Sequence, residues 1–217
     1  MILYWSPLSS YSAKVRIAFA LKRLMPELRQ PPDGSYRSAA YRAMVPLGTV
    51  PALVDGDLVL SESDTIIEYL DDRFPSPSLL PGTARERAQA RYLSRLHDLH
   101  LEPAVRGLFG QVTPATRQAA TIETQAASIA SRLATLETAL HPDGPYAVGA
   151  APTLADCAFP ATLTILGALA PVLGLRPDLG ARTRRWRAAL ARDPRIESVM
   201  EPYRDEVARW LQSKLGG

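Results

Sequence analysis

Apolar and polar positions in the first third of the chain switch between strand-like runs and helical spacing. Ile2-Leu3-Tyr4-Trp5, closed by Ser6-Pro7, predicts a short strand. Val15, Ala18, Phe19 and Leu24 recur at helical spacing behind the N-cap candidates Ser9, Ser10 and Ser12, and predict a helix running to about Arg23. Glu27-Leu28-Arg29-Gln30 reads as a second strand, 31–34 as a loop and 35–44 as a short helix. Ala52-Leu53-Val54 and Leu58-Val59-Leu60 flank Asp55-Gly56, a dipeptide that accepts the positive φ of a tight hairpin turn. Ser61-x-x-Asp64 reads as a capping box, opening a helix with Ile66, Ile67, Tyr69 and Leu70 on its apolar side. The predicted order is βαβαββα. A βαβ crossover makes parallel neighbours and a hairpin an antiparallel pair, so residues 1–76 are expected to build a mixed sheet.

Phe74-Pro75-Ser76-Pro77-Ser78 then breaks the helical pattern, and from Thr83 onward the pattern is helical throughout. A long helix is expected from Ala84 to about Val112, kinked at Pro103. Ile122, Ala126, Ile129, Leu133, Leu136 and Leu140 form one amphipathic stripe. Thr153-x-x-Asp156 is a second capping box ahead of an apolar helix that contains Pro160, and Tyr203, Val207, Trp210 and Leu211 mark a last helix. Residues 84–217 therefore read as an all-α unit.

Composition narrows this picture only slightly. The chain has 217 residues, 47% hydrophobic and 22% charged, the balance of an ordinary globular protein. A net charge of +3 is mild, and Arg182, Arg184, Arg185 and Arg187 lack interleaved aromatics, so a solvated surface is expected rather than nucleic-acid contact. The one cysteine, Cys157, excludes an internal disulfide framework, suits a reducing cytoplasm and is expected to be buried and inert. The first residues lack the basic and apolar segments of a signal peptide, and no apolar run approaches the roughly 20 residues of a membrane span, so no membrane association is expected. His97 and His100 are three apart on one helix, but no Cys or acidic cluster joins them, and no metal is expected.

The chemistry concentrates in two stretches. The first is Val50-Pro51, placed where a strand begins. A Pro at such a bend suits the cis form and would leave the Val50 backbone unpaired at the sheet edge, free to bond an extended peptide. A few residues on, a helix N-terminus with Glu62 and Ser63 offers free N–H groups and a hydroxyl, which suit a carboxylate. An edge and a carboxylate pocket side by side suit a small acidic peptide. The second stretch is the serine cluster 9–12, each member of which also fits simple helix capping.

Val-Pro, an Asp-Gly hairpin and Glu-Ser opening a helix together resemble the glutathione-binding signature of the cytosolic glutathione transferases. The later Gly149-x-x-Pro152-Thr153-Leu154-Ala155-Asp156 and Trp186…Arg192-Asp193-Pro194 extend the resemblance over essentially the whole chain. It implies a thioredoxin-like first unit, a helical second unit that holds the electrophile, a homodimer, and glutathione as co-substrate. Ser9-Ser10-Tyr11 and Val15-Arg16-Ile17-Ala18 are similar to the Ser-type classes, above all zeta. The resemblance places the thiolate-stabilising serine at Ser9, with Ser10 as second choice and Ser12 as third. It implies that Val50 bonds the cysteinyl backbone and that Glu62 and Ser63 hold the γ-glutamyl end.

Departures from the zeta pattern are Tyr11 in place of its cysteine and Lys14 in place of its arginine. Gly48 and Thr49 stand where the family often carries a Lys or Gln for the glycyl carboxylate, with Arg37 or Arg42 as conceivable substitutes. Leu8, Leu108 and Phe109 are candidate lining for the electrophile. Two rival readings are a glutathione-dependent isomerase acting on maleylacetoacetate and a non-catalytic binding protein of the stringent-starvation type.

Overall fold

The computed structural model describes residues 1–216; Gly217, the end of the expected helical unit, lies outside them. Four strands form one sheet in the order β2-β1-β3-β4. β1 (Ile2–Tyr4) runs parallel to β2 (Glu27–Arg29) and antiparallel to β3 (Ala52–Asp55), which turns through Asp55-Gly56 into antiparallel β4 (Leu58–Ser61). Gly56 takes φ 65° at that turn, the conformation an Asp-Gly step supplies. The expected mixed sheet is present.

Helix limits differ from the sequence reading in informative ways. α1 (Ser10–Leu21) is capped by Ser9, whose hydroxyl accepts from the Ser12 N–H. α2 (Ala39–Met44) is shorter than expected, because Ser38 provides its cap and Ser35 is still extended. α3 (Ser63–Arg73) does not use Ser61 as its cap. Ser61 remains paired with Ala52 in β4, and Glu62, at φ 73° and ψ 117°, makes the abrupt turn from strand to helix. A non-glycine residue in that region of the backbone map is uncommon, and such positions concentrate at functional sites.

The expected long helix is interrupted before Pro103. α4 (Ala84–Leu96) passes into a π turn, His97–Leu101, and then α5 (Glu102–Arg106). Pro103 has no N–H to give the carbonyl four residues back and would crowd it, so the chain widens ahead of it and Pro103 falls in the first turn of α5, where the missing donor is harmless. α6 (Ala119–Ala139), α7 (Leu154–Val172), α8 (Gly180–Leu190) and α9 (Pro194–Leu215) complete the unit.

α7, at 19 residues, is long and apolar enough by length and composition to cross a membrane, contrary to the sequence expectation. It is instead the central core helix: 67% of its most apolar window is buried, and it packs against α1, α4 and α9. Its start is fixed by Asp156, whose carboxylate accepts from the Thr153 N–H and hydroxyl, the Ala147 N–H and the Trp186 indole at 2.7–2.9 Å. Cys157 is fully buried, which pushes its thiol well above the ordinary range and leaves it unreactive.

One hydrophobic core runs through both units, from Leu3, Val15 and Ile66 to Leu93, Leu101 and Phe159. The linker between them is pinned as well. Asp71 accepts from Leu79 N at 2.6 Å and Leu80 N at 3.2 Å, and the buried Lys22 ammonium bonds both Asp71 at 2.7 Å and the Pro77 carbonyl at 2.8 Å. Sheet and helices are thus fixed relative to each other, and the cleft between them has a defined shape. Part of the arginine cluster is engaged with protein groups: Arg182 reaches carbonyls at the end of α6, and Arg185 donates to the Pro142 carbonyl.

Candidate active site

A cleft of about 550 Å³ opens between the sheet edge and the α4–α5 region. Ser9, Val50, Pro51, Glu62 and Ser63 line it from the sheet side; Arg95, Asp98, Arg106 and Phe109 line it from the helical side.

Of the three candidate serines, only Ser9 lines the cleft. Its oxygen accepts from Ser12 N at 3.1 Å. Accepting uses a lone pair and leaves the hydroxyl proton available, so one side chain can cap α1 and donate outward. Ser10 faces the other way: it is fully buried and donates to Glu102 Oε1 at 2.8 Å. Ser12 is also fully buried, with its oxygen 3.3 Å from the Ser6 N–H.

The Val50-Pro51 peptide is cis, and among the described residues the Val50 backbone makes no hydrogen bond. The loop before it is held from behind by Tyr41, whose buried ring puts its hydroxyl 2.8 Å from the Thr49 carbonyl. Gly48 takes φ 59°, and a β-carbon there would lie 2.9 Å from Arg42 Nε and 3.0 Å from the Tyr36 carbonyl. Only glycine fits that turn. Arg42 packs over Gly48, Arg37 lies over the Tyr36 ring at 5.8 Å, and neither arginine lines the cleft; Tyr36 does.

At the N-terminus of α3, Glu62 is exposed and Ser63 is buried with its hydroxyl 3.5 Å from Asp98 Oδ2. Beneath them lies a chain of buried polar groups that sequence reasoning missed. Lys14 of α1, wholly buried, bonds Asp64 Oδ1 of α3 at 2.6 Å and Asp98 Oδ2 of the π turn at 2.7 Å. Asp64 also accepts from Ser94 at 2.7 Å. Asp98 Oδ1 meets His97 Nδ1 at 2.7 Å, and His97 Nε2 meets Thr162 of α7 at 2.7 Å. A carboxylate can only accept, so Nδ1 carries the proton and Nε2 accepts from Thr162.

Burial pushes the Asp98 carboxyl up, but the His97 hydrogen bond and the Lys14 charge outweigh it and hold it below the usual carboxylate range. Burial holds His97 below its ordinary value, against the pull of Asp98. One ammonium thus ties two carboxylates, one from each unit, under the wall that carries Ser63.

Tyr11 donates to the Asp98 carbonyl at 3.0 Å and turns its ring edge to His97. Burial and the charges of Glu102 and Asp98 raise its phenol well above the ordinary range, so it stays protonated. The other half of the cleft is apolar and cationic. Leu8 and Phe109 line it as expected, and Phe109 packs on Trp210 at 4.9 Å. Leu108 does not line it; it is fully buried in the core. Arg106, clamped by Glu102, lies 5.5 Å over Phe109 and 5.8 Å over Tyr11. Of the histidine pair, His97 is engaged as above and His100 is exposed.

A mixed thioredoxin-like sheet followed by a helical unit, with an unpaired sheet-edge backbone and a helix N-terminus in one cleft, is the architecture of the glutathione transferase fold. The family model described as "Glutathione S-transferase, N-terminal domain" matches residues 3–78. A maleylacetoacetate isomerase of Anaeromyxobacter dehalogenans, solved with glutathione in its active site, is 31% identical with a TM-score of 0.74, over 94% of this chain and 95% of that one. The chain belongs to the glutathione S-transferase family.

Curated relatives include a stringent starvation protein A homolog of Coxiella burnetii, 44% identical over 43% of this chain and 44% of that protein. A maleylacetoacetate isomerase of Pseudomonas aeruginosa is 41% identical over 48% of this chain and 51% of that protein. The chain spans about half the length of the curated relatives it matches.

Proposed function

We propose that this protein binds glutathione along Val50 and the α3 N-terminus and stabilises its thiolate with the Ser9 hydroxyl for attack on a small electrophile. The observation that carries this reading is Ser9 itself: it caps α1, keeps its proton free, and shares one cleft with the unpaired Val50 backbone and with Ser63. A hydroxyl donor and a helix N-terminus both favour thiolate over thiol. The glutathione cysteinyl backbone pairs with Val50, and the γ-glutamyl carboxylate meets Ser63 and the α3 N–H groups. Glu62 and Asp98 offer negative charge to the γ-glutamyl ammonium. The electrophile occupies the side lined by Leu8, Tyr11, Arg106 and Phe109. No metal takes part in this scheme.

The same bound thiolate can add to and leave a conjugated double bond, which is isomerisation. The relationship to maleylacetoacetate isomerases favours this as the second reading. Tyr11 in place of the zeta cysteine separates this chain from that class. A protein of this kind acts in the cytoplasm as a homodimer; the exposed Leu58 and Val59 on the free edge strand β4 offer a second copy an apolar face. Calorimetric titration with glutathione, followed by conjugation assays with 1-chloro-2,4-dinitrobenzene and isomerisation assays with a cis-enedione acid, tests the reading. Binding with either activity supports it, and failure to bind glutathione overturns it.

A further inference from the structure

The residues on either side of Ser9 are both tied to the helical unit. Ser10 donates to Glu102 of α5 at 2.8 Å, and the Leu8 carbonyl accepts from the Tyr203 hydroxyl of α9 at 3.2 Å. Leu8 and Tyr203 are 195 residues apart along the chain. They meet because α9 packs along α1, with the Tyr203 ring buried in the common core. Among the described residues this is the one hydrogen bond of the Tyr203 hydroxyl. Burial raises its phenol well above the ordinary range, so the hydroxyl keeps its proton and donates.

The bond acts on Ser9 through a single rigid group. The Leu8 carbonyl and the Ser9 N–H belong to one planar peptide. Its N–H end donates to the Ser6 carbonyl at 3.1 Å and its C=O end is held by Tyr203, so the plane is fixed at both ends. Ser6 is itself tied to α1, its N–H donating to the Ser12 hydroxyl at 3.3 Å. The orientation of that plane sets φ of Ser9, and with it the direction in which the Ser9 side chain leaves the backbone. Of the two bonds that fix the plane, the one from Tyr203 comes from outside the first unit.

We propose that Tyr203 is a positioning residue for the thiolate-stabilising serine: by holding the peptide between Leu8 and Ser9 it keeps the Ser9 hydroxyl aimed at the thiol, an inference that rests on the role given to Ser9 above. Tyr203 does not line the cleft, so it acts through Ser9 and not on the ligand. A hydroxyl donor is effective only when aligned with its acceptor, and a displacement of about 1 Å is enough to weaken it severely. Glutathione is held in this scheme by Val50 and the start of α3, so Tyr203 bears on the thiol and hardly on affinity.

The test is the thiolate absorbance of bound glutathione, followed against pH in wild type, Tyr203→Phe, Ser9→Ala and the double variant. Tyr203→Phe keeps the buried ring and removes only the hydroxyl, so glutathione affinity is expected to stay within about twofold of wild type. The thiol pKa should rise by about half a pH unit or more. On top of Ser9→Ala the same substitution should add nothing, because the effect runs through the Ser9 hydroxyl. A thiol pKa in Tyr203→Phe equal to that of wild type, or a rise that persists undiminished in the Ser9→Ala background, overturns the proposal. Hydrogen exchange of the ligand-free protein reads the same bond without glutathione: amides of residues 8–12 are expected to exchange faster in Tyr203→Phe, while those at the start of α7 do not change. Should wild type fail to bind glutathione, or Ser9→Ala leave the thiol pKa unmoved, the fault lies with the reading of the main cleft. Unchanged exchange at residues 8–12 then overturns this inference as well, and faster exchange there sustains the hold of Tyr203 on the Ser9 backbone.

Discussion

Lys14 Nζ and Asp98 Oδ2 meet at 2.7 Å across the boundary between the two units, directly behind Ser63. The same ammonium holds Asp64 at 2.6 Å, so one buried cation neutralises a carboxylate from α3 and one from the π turn. Removing it strands two negative charges in the interior, which is far costlier than never having built the pair. Lys14→Met should destabilise the protein by about 3–5 kcal/mol. Pairing it with Asp64→Leu should restore part of the loss. Denaturant unfolding of the single and double variants checks both; a Lys14→Met protein as stable as wild type would refute the assignment.

Buried neutral His97 links stability to mild acid. Its folded pKa is depressed, chiefly by burial, so the unfolded chain takes up the proton first. Its contribution is intact above the unfolded value near 6.5 and is lost progressively as pH falls below it. Asp98, also depressed when folded, contributes above its unfolded value near 3.9 and is lost only in stronger acid, so the two windows are separate. Unfolding measured between about pH 7.5 and 5.5 should show falling stability in the wild type and a flatter profile in His97→Gln. Parallel profiles would remove His97 from the account.

The Asp156 carboxylate joins the start of α7 to Trp186 of α8. Thr153→Ala deletes one of its donors and should cost about 1 kcal/mol. Asp156→Ala leaves the Trp186, Thr153 and Ala147 donors without their acceptor and should cost more. Equal effects of the two substitutions in thermal unfolding would contradict the network.

Ser63→Ala should weaken glutathione binding about ten- to a hundredfold, the value of a hydrogen bond to a charged group. Because Ser63 holds the end of the peptide remote from sulfur, the rate at saturating glutathione should change far less. Kinetics that lose kcat and retain KM would place Ser63 elsewhere in the mechanism.

Much of this was legible in the sequence, and the exceptions share a cause. Ser9, Val50, Pro51, Glu62 and Ser63 sit where local patterns are strong: a cap, a proline bend, a strand-to-helix turn. Their arrival in one cleft follows from the antiparallel pairing of β3 with β1 and β4, which sets Tyr4 and Ser61 on either side of Ala52. Ser10 and Ser9 are indistinguishable by local pattern, and only the packing of α1 against the helical unit sends Ser10 to Glu102 and leaves Ser9 at the cleft.

Lys14 and Asp98 were missed as site components because they act through each other, 84 residues apart along the chain. By local pattern Lys14 reads only as a departure from arginine and Asp64 only as a helix cap. The π turn that aims His97 and Asp98 inward is set by Pro103, and the sequence pattern shows a kink there without its form.

The most direct measurement is the pH-dependent thiolate absorbance of bound glutathione in the wild type and in Ser9→Ala. The account predicts a thiol pKa well below its free value in the wild type and a return toward that value in Ser9→Ala, with glutathione still bound. A depressed pKa that survives the substitution would contradict the role given to Ser9, and no binding in the wild type would contradict the glutathione reading as a whole.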